Sequence, residues 1–271
     1  MRNELFAGAP RGGPRRSSRV LGDLMIVLTS RDIKIKYKQS AMGLLWAVFM
    51  PAIIVVAGML IRVAMAKMSG TPLSPDSLAS ISVKAIPWAF FVSAIRFATN
   101  SLATNASLVT KINCPRIAFP AAAVLSALFD FLVALVPLAA VLAWSGITPG
   151  YALVWVLPQI FLLVLLVSGL GIALAAANLF FRDVKYIVEV VLTFAIFFTP
   201  VFYEVDMIGE WGFWILLNPV APLLEGLRSA VVLNAAPDAI WLLYSAVTSV
   251  LAFAGGWGLF HRLEPAFADN V

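Results

Sequence analysis

The 271-residue chain has one cysteine and one histidine. Cys114 has no partner for an internal disulfide, and a Cys/His metal cluster is excluded. Charge is also scarce. Asp, Glu, Lys and Arg make up 12% of the residues, about half the share found in soluble domains, too little to cover a water-exposed surface of this size. No Gly-x-x-x-x-Gly-Lys-Ser/Thr loop occurs, so the chain does not itself cradle ATP. There is no zinc motif and no nucleophile elbow. Residues 1–19 hold no apolar core, so a cleavable secretory signal is not expected. Arg15-Arg16 is followed by no short apolar region with a small-residue cleavage site, which rejects a twin-arginine signal.

What is abundant is apolar sequence, at 62% of the chain. It comes in runs of about twenty residues, the length a helix needs to cross ~30 Å of hydrocarbon. The runs predict an all-α integral membrane protein with six transmembrane helices, near 44–66, 82–104, 119–145, 152–179, 186–203 and 238–260. Nine of the 19 Lys and Arg precede Ala41. That placement reads as topology and lipid headgroups, not nucleic acid. Lys111 and Arg116 lie in the 105–118 loop, Arg182 and Lys185 in the 180–185 loop, and Arg262 in the tail, which brings the total to 14. The alternate loops carry Lys67 and Arg228, with Lys84 near a border. The positive-inside rule then places residues 105–118, 180–185 and both termini in the cytoplasm, and residues 146–151 and 204–237 outside.

The remaining segments divide the chain further. Residues 1–19 read as a basic mobile tail and 20–43 as an amphipathic interface helix, with Val20, Leu21, Leu24, Met25 and Leu28 at helical spacing. Ile33, Ile35 and Tyr37 alternate with Lys34, Lys36 and Lys38, a strand-like pattern. A lone strand edge beside lipid would leave its backbone unpaired, so helix is expected. The transmembrane domain covers 44–260, and 261–271 form a cytoplasmic tail. The 204–237 segment is too polar and too interrupted by Pro219 and Pro222 to span, yet too apolar for a free loop. It reads as a re-entrant helical pair between spans five and six, or alternatively as an interfacial hairpin. Gly169, Ala173 and Ala177 form a small-residue stripe suited to close helix packing, within the chain or between copies. Of the intramembrane charges, Arg62 and Glu189 sit near span ends, where snorkelling accounts for them. Arg96 and Asp130 lie deeper and are expected to pair with each other or to serve function.

Several motifs follow in a fixed order. Arg31-Asp32 precedes Tyr37-Lys38-Gln39-Ser40, Gly43-Leu44-Leu45-Trp46 and Pro51. The first cytoplasmic loop carries Asn105, Leu108, Lys111 and Cys114-Pro115-Arg116, and the second Phe181-Arg182-Asp183. The fifth span ends Thr199-Pro200-Val201-Phe202-Tyr203, and Asn218-Pro219 precedes Arg228. Over roughly residues 31–228 this set resembles the permease subunits of ABC-2-type transporters, in particular those exporting lipid-linked polysaccharides such as O-antigen, capsule and teichoic acid. The resemblance implies a homodimer, with each copy docking a separate cytoplasmic ATPase that binds ATP and Mg; this chain itself carries no cofactor. It also implies an interface helix before the first span and a coupling helix in 105–118. The ATPase-coupling residues would be Asn105, Leu108, Lys111, Pro115, Arg116, Arg31, Asp32 and Tyr37. Cys114 departs from the pattern, since relatives often have an aromatic residue before Pro-Arg. Physics agrees with the loop assignment: Pro115 and Pro120 stiffen the backbone around Arg116, as force transmission requires.

A glycan conduit needs flat apolar surfaces that hold no register tightly. Trp88, Phe91, Phe198, Phe202, Tyr203, Trp211 and Trp214 are the candidates for the translocation path or outer gate, against an aromatic belt at the lipid boundary. The leading expectation is therefore the transmembrane permease of an ATP-driven exporter that moves a lipid-linked, O-antigen-like polysaccharide across a bacterial inner membrane. An ABC-2 permease for a drug or lipid is the alternative. An ion-coupled secondary transporter fits less well, because only one deep carboxylate, Asp130, and no repeat of broken helices is found.

Overall fold

Backbone that crosses hydrocarbon must satisfy its own hydrogen bonds, and helices do so within one segment. The computed structural model describes residues 14–38, 43–70, 76–111, 115–148 and 150–269, and all regular structure among them is helical. The helices are α1 (Pro14–Lys38), α2 (Leu45–Ser69), α3 (Ser77–Thr104), α4 (Ala106–Lys111), α5 (Ala118–Trp144), α6 (Val156–Phe180), α7 (Val184–Ala195), α8 (Gly212–Leu216), α9 (Ala221–Val231) and α10 (Ala239–Leu263). Short 3₁₀ turns precede α6 and α8 and follow α7 and α10.

Five stretches are long and apolar enough to cross a membrane: Leu45–Met68, Ser77–Thr104, Ala118–Trp144, Tyr151–Phe180 and Ala239–Phe267. They carry the expected spans one to four and six. The expected fifth span, 186–203, instead falls on α7, whose 12 residues rise only about 18 Å. A 3₁₀ turn, Ile196–Phe198, extends it, and then Thr199 leaves helical geometry at φ −127° and ψ 134°. The cause is Pro200, whose ring disfavours the α region for the residue before it.

α1 remains helical through Lys38, so the alternation over 33–38 makes no strand. It begins at Pro14, so residues 14–19 of the expected tail are helical; a proline fits the first helical turn, where its missing N–H has no partner to lose. The part of the tail before Pro14, and the motif residues Gln39, Ser40 and Cys114, lie outside the described residues. α1 packs along α5, with Leu28 buried and Leu21, Leu24 and Met25 half-buried.

α3 is the central helix, packed by α2, α5, α6, α7 and α9. The main core forms around Trp88, Phe90, Phe91, Phe131, Leu163 and Leu224. A second, smaller core lies at the end of the bundle carrying α1 and α4. It joins Leu28, Leu102, Ile117, Phe119, Ile172, Leu179, Phe260 and Phe267. α6 and α10 cross at backbone contact. A Cβ on Gly256 would lie 2.0 Å from the Gly169 carbonyl oxygen, and one on Gly169 would lie 2.4 Å from the Ala252 carbonyl. Gly169 of the small-residue stripe thus serves packing within the chain.

Candidate translocation and coupling sites

Ionisable side chains in an apolar bundle persist only with partners. Two groups of them are tied to α3, one through Lys84 and one through Arg96, and their Cα atoms are about 18 Å apart along the helix.

At the end carrying α8 and α9, Lys84 has no exposed surface. Its ammonium donates to Glu225 at 3.0 Å and to the Tyr203 carbonyl at 2.5 Å. Arg62 of α2, 4% exposed, donates to the Phe202 carbonyl at 3.1 Å and to Glu204 at 2.6 Å. Arg228 of α9 reaches Glu204 at 2.9 Å and Glu225 at 3.5 Å, and its Nε donates to Ser80 at 3.3 Å. Three cations therefore share two carboxylates. Burial pushes the Glu204 carboxyl up, but the Arg62 hydrogen bond and the charges of Arg228, Arg62 and Lys84 outweigh it and hold the group below the usual carboxylate range. Snorkelling does not account for Arg62, because its head points into this network. In the sequence Lys84 stands near a span border, and nothing local connects it with Glu225. The available signal was a single lysine inside an otherwise uncharged half of an apolar helix.

The network fastens residues 202–204 and α9 to α2 and α3. The Phe202 ring lies over Gly58 of α2, where an added Cβ would come within 2.8 Å of it. A second fastening lies at Asn218, whose side chain donates to Thr199 Oγ1 at 2.8 Å and to the Phe198 carbonyl at 3.2 Å. Beside it, Tyr244 donates to the Leu217 carbonyl at 2.6 Å. Between Glu204 and Asn218 the chain makes an excursion that includes Gly209 at φ 55°, a conformation favouring glycine. This excursion exposes Met207, Trp211, Phe213 and Trp214.

The seven aromatic candidates therefore separate. Trp88 and Phe91 are buried, stacked at 5.4 Å, and face an apolar groove of about 350 Å³ between α3, α6 and α7. Phe202 is buried against α2. Tyr203 is partly buried against the main core, and its hydroxyl donates to the Phe197 carbonyl at 3.1 Å. Phe198, Trp211 and Trp214 are exposed. Trp214 stands edge-on to Phe213, which meets Trp241 and through it Tyr244.

At the opposite end, Arg96 and Asp130 do not pair. Arg96 instead forms two hydrogen bonds with Glu189 of α7, at 2.7 and 2.8 Å. Asp130 of α5 accepts from Lys36 and Tyr37 of α1. The reason is geometric: α1 covers the α5 face that carries Asp130, and α7 lies beside Arg96. Burial, then the hydrogen bond to Asp130 and its charge, raise the Tyr37 phenol well above its ordinary pKa, so it stays a donor. The Lys36 ammonium also lies 4.6 Å from the Phe97 ring centroid. Lys36, Arg96 and Asp130 line a cavity of about 290 Å³ with Trp46, Phe90 and Phe131.

The coupling candidates form two groups. Arg31 donates to Asp32 at 2.8 and 2.9 Å and to Asn105 at 2.9 Å, which ties α1 to the first residue of the loop. Leu108 of α4 is half-buried against the second core. Pro115 is half-buried, and Arg116 donates to the Glu264 carbonyl at 2.7 Å. Tyr37 stands apart with Asp130. The Lys111 backbone is helical; its side chain lies outside the described residues.

A membrane bundle with a short loop helix bolted to an amphipathic N-terminal helix, and an aromatic excursion at its other end, invites comparison with known proteins. The family model described as ABC-2 type transporter matches residues 23–232. An O-antigen export system permease protein RfbA of Klebsiella pneumoniae is 28% identical over 251 residues, covering 92% of this chain and 95% of that protein. A second protein of that name from the same species is 29% identical over 254 residues. One from Myxococcus xanthus is 28% identical over 255 residues, with the same coverage of both chains. With more than half of its length matched by the family model, this chain belongs to the ABC-2 type transporter family.

Proposed function

We propose that this chain is the transmembrane permease subunit of an ATP-driven exporter, carrying a lipid-linked, O-antigen-like polysaccharide from cytoplasm to periplasm across a bacterial inner membrane. The observation that carries this reading is end-to-end similarity to O-antigen export permeases, over 92% of this chain and 95% of theirs. ATP and Mg belong on a separate cytoplasmic ATPase subunit, since this sequence has no phosphate-binding loop. The 14 basic residues in 1–43, 105–118, 180–185 and the C-terminal tail argue for both termini in the cytoplasm.

That orientation needs an even number of crossings. The sixth is supplied by 184–203 as a broken segment: α7, then its 3₁₀ turn, then the extended Thr199. Such irregular backbone at membrane depth requires protein or water beside it. A second copy of the chain would provide this. In that dimer, faces of α2 and α7 would be available for contact: Met50, Val56 and Leu60 on α2 and Tyr186, Val190 and Phe194 on α7 are all more than half exposed. In this arrangement α8 and α9 form the re-entrant pair. The excursion 205–217 is the outer gate, with Trp211 and Trp214 as the surfaces over which sugar rings pass. Residues 105–118 are the coupling loop, and α1 is the interface helix.

The testing experiment deletes the gene in its native host and examines the inner-membrane lipids. The expected result is a lipid-linked glycan accumulating on the cytoplasmic face, with loss of the surface polymer. An unchanged surface polymer and no accumulated glycan would contradict the cargo.

A further inference from the structure

The sequence reads the C-terminus as a plain tail, yet its side chains are built into the fold. α10 stops at Leu263 and the chain tightens into a 3₁₀ turn over Glu264–Asp269. Pro265 has no N–H to continue the α-helical ladder. Phe267 follows and is completely buried. Its ring stands edge-on to Phe260, with centroids 5.1 Å apart, and tilted to Phe180 at 5.8 Å. Around it are Leu28 of α1, Leu102 at the end of α3, Ile117 and Phe119 at the start of α5, and Leu179 at the end of α6. Leu28 lies on the helix that carries Arg31, and Leu102, Ile117 and Phe119 lie in or within three residues of the 105–118 loop. Arg116 completes the junction, with its guanidinium bonded to the Glu264 carbonyl at 2.7 Å and lying 5.8 Å from the Phe267 ring centroid.

We infer that the turn Glu264–Phe267 is the positioning element of the coupling loop: it holds Arg116 and fills the small core against which Leu108 and Ile117 of that loop pack. The inference depends on the reading of 105–118 as the coupling loop. The loop is held from two sides. At its start, Arg31 of α1 holds Asn105. At its end, the C-terminal turn holds Arg116. A push on a loop held at one end alone would bend the loop. With both ends held it reaches α5 and α6. Arg116 is engaged within the chain, so its role is to position the loop from beneath. Phe267 touches no cargo and is a positioning residue.

The test uses the full complex of the chain with its ATPase subunit in proteoliposomes, comparing Phe267→Ala, Phe267→Leu and Arg116→Gln with the natural chain. Two quantities are read: hydrogen exchange of peptides covering 105–119, with α9 as internal reference, and glycan exported per ATP hydrolysed. Phe267→Ala is expected to speed exchange in 105–119 by at least about tenfold while α9 is unchanged. Export per ATP is expected to fall severalfold, and Phe267→Leu to restore most of both. Arg116→Gln keeps the core filled, so it answers the question if Phe267→Ala does not assemble; it should loosen 105–119 to a smaller degree. Exchange in 105–119 unchanged in every variant overturns the inference. So does a rise spread evenly over the chain, which would mark Phe267 as a general stability residue. Faster exchange confined to 105–119 with hydrolysis and export both intact upholds the anchor and overturns the coupling assignment of the loop.

Discussion

Lys84 of α3 and Glu225 of α9 form an ion pair of 3.0 Å in which the lysine has no exposed surface. The pair joins the central helix to the short helix that follows the excursion carrying Trp211 and Trp214, and the lysine also bonds the Tyr203 carbonyl just before that excursion. Removing one partner of a buried pair strands the other charge, at a cost of about 3–5 kcal/mol, whereas replacing both by apolar groups is often close to neutral. Lys84→Met alone should therefore lower the thermal midpoint of the purified protein sharply. Adding Glu225→Met should recover part of the loss, although Arg228 then keeps only Glu204. A double-mutant cycle in detergent measures this. Strictly additive losses would mean that the pair is not coupled.

Glu204 sets the acid limit of the same network. Its carboxyl is held below the usual carboxylate range. A depressed folded-state pKa contributes stability above the unfolded value and loses it as pH falls through the folded value. The natural protein should hold its midpoint through mildly acidic solution and lose it below about pH 4, where ordinary carboxylates protonate. Glu204→Gln should be less stable at neutral pH and show a shallower decline in acid. Thermal unfolding from pH 3 to 7 reads both; parallel curves for the two proteins would remove Glu204 from the acid limit.

The aromatic residues at the end carrying α8 make separable predictions because the fold buries them unequally. Trp214 is 65% exposed and Phe202 only 7%. Trp214→Ala should leave the yield of folded protein unchanged and reduce export. Phe202→Ala empties a site over Gly58 and should cost about 3–5 kcal/mol of stability. Size-exclusion yield in detergent, measured beside surface glycan in cells, separates the two effects. A fall in yield with Trp214→Ala that matches its fall in export would make that ring a packing residue.

The long helices were readable because each is a run of apolar residues set by bilayer thickness. The order of Arg31, Asn105, Pro115-Arg116 and Asn218-Pro219 was readable as a family pattern. The fifth apolar run was readable as composition but its break was not: composition continues apolar through Phe198, while the helical backbone is stopped by Pro200 acting on Thr199. Charge pairing was the least legible. Arg96 and Asp130 are the obvious deep opposite charges, yet their partners come from α7 and α1. Lys84 and Glu225 lie 141 residues apart in sequence, and no local pattern records their meeting. The C-terminal turn was missed for a related reason, since Phe267 in a short polar tail carries no periodicity.

The cargo assignment is the central claim, and reconstitution reads it directly. The chain and its ATPase subunit are placed in vesicles loaded with lipid-linked glycan on the ATPase-facing leaflet, and the opposite leaflet is sampled with a membrane-impermeant lectin. The account predicts that lectin-accessible glycan appears there only with hydrolysable ATP and Mg, and that Trp214→Ala slows it. ATP-driven movement of a small amphiphile with no movement of glycan would contradict the account and assign this permease to another cargo.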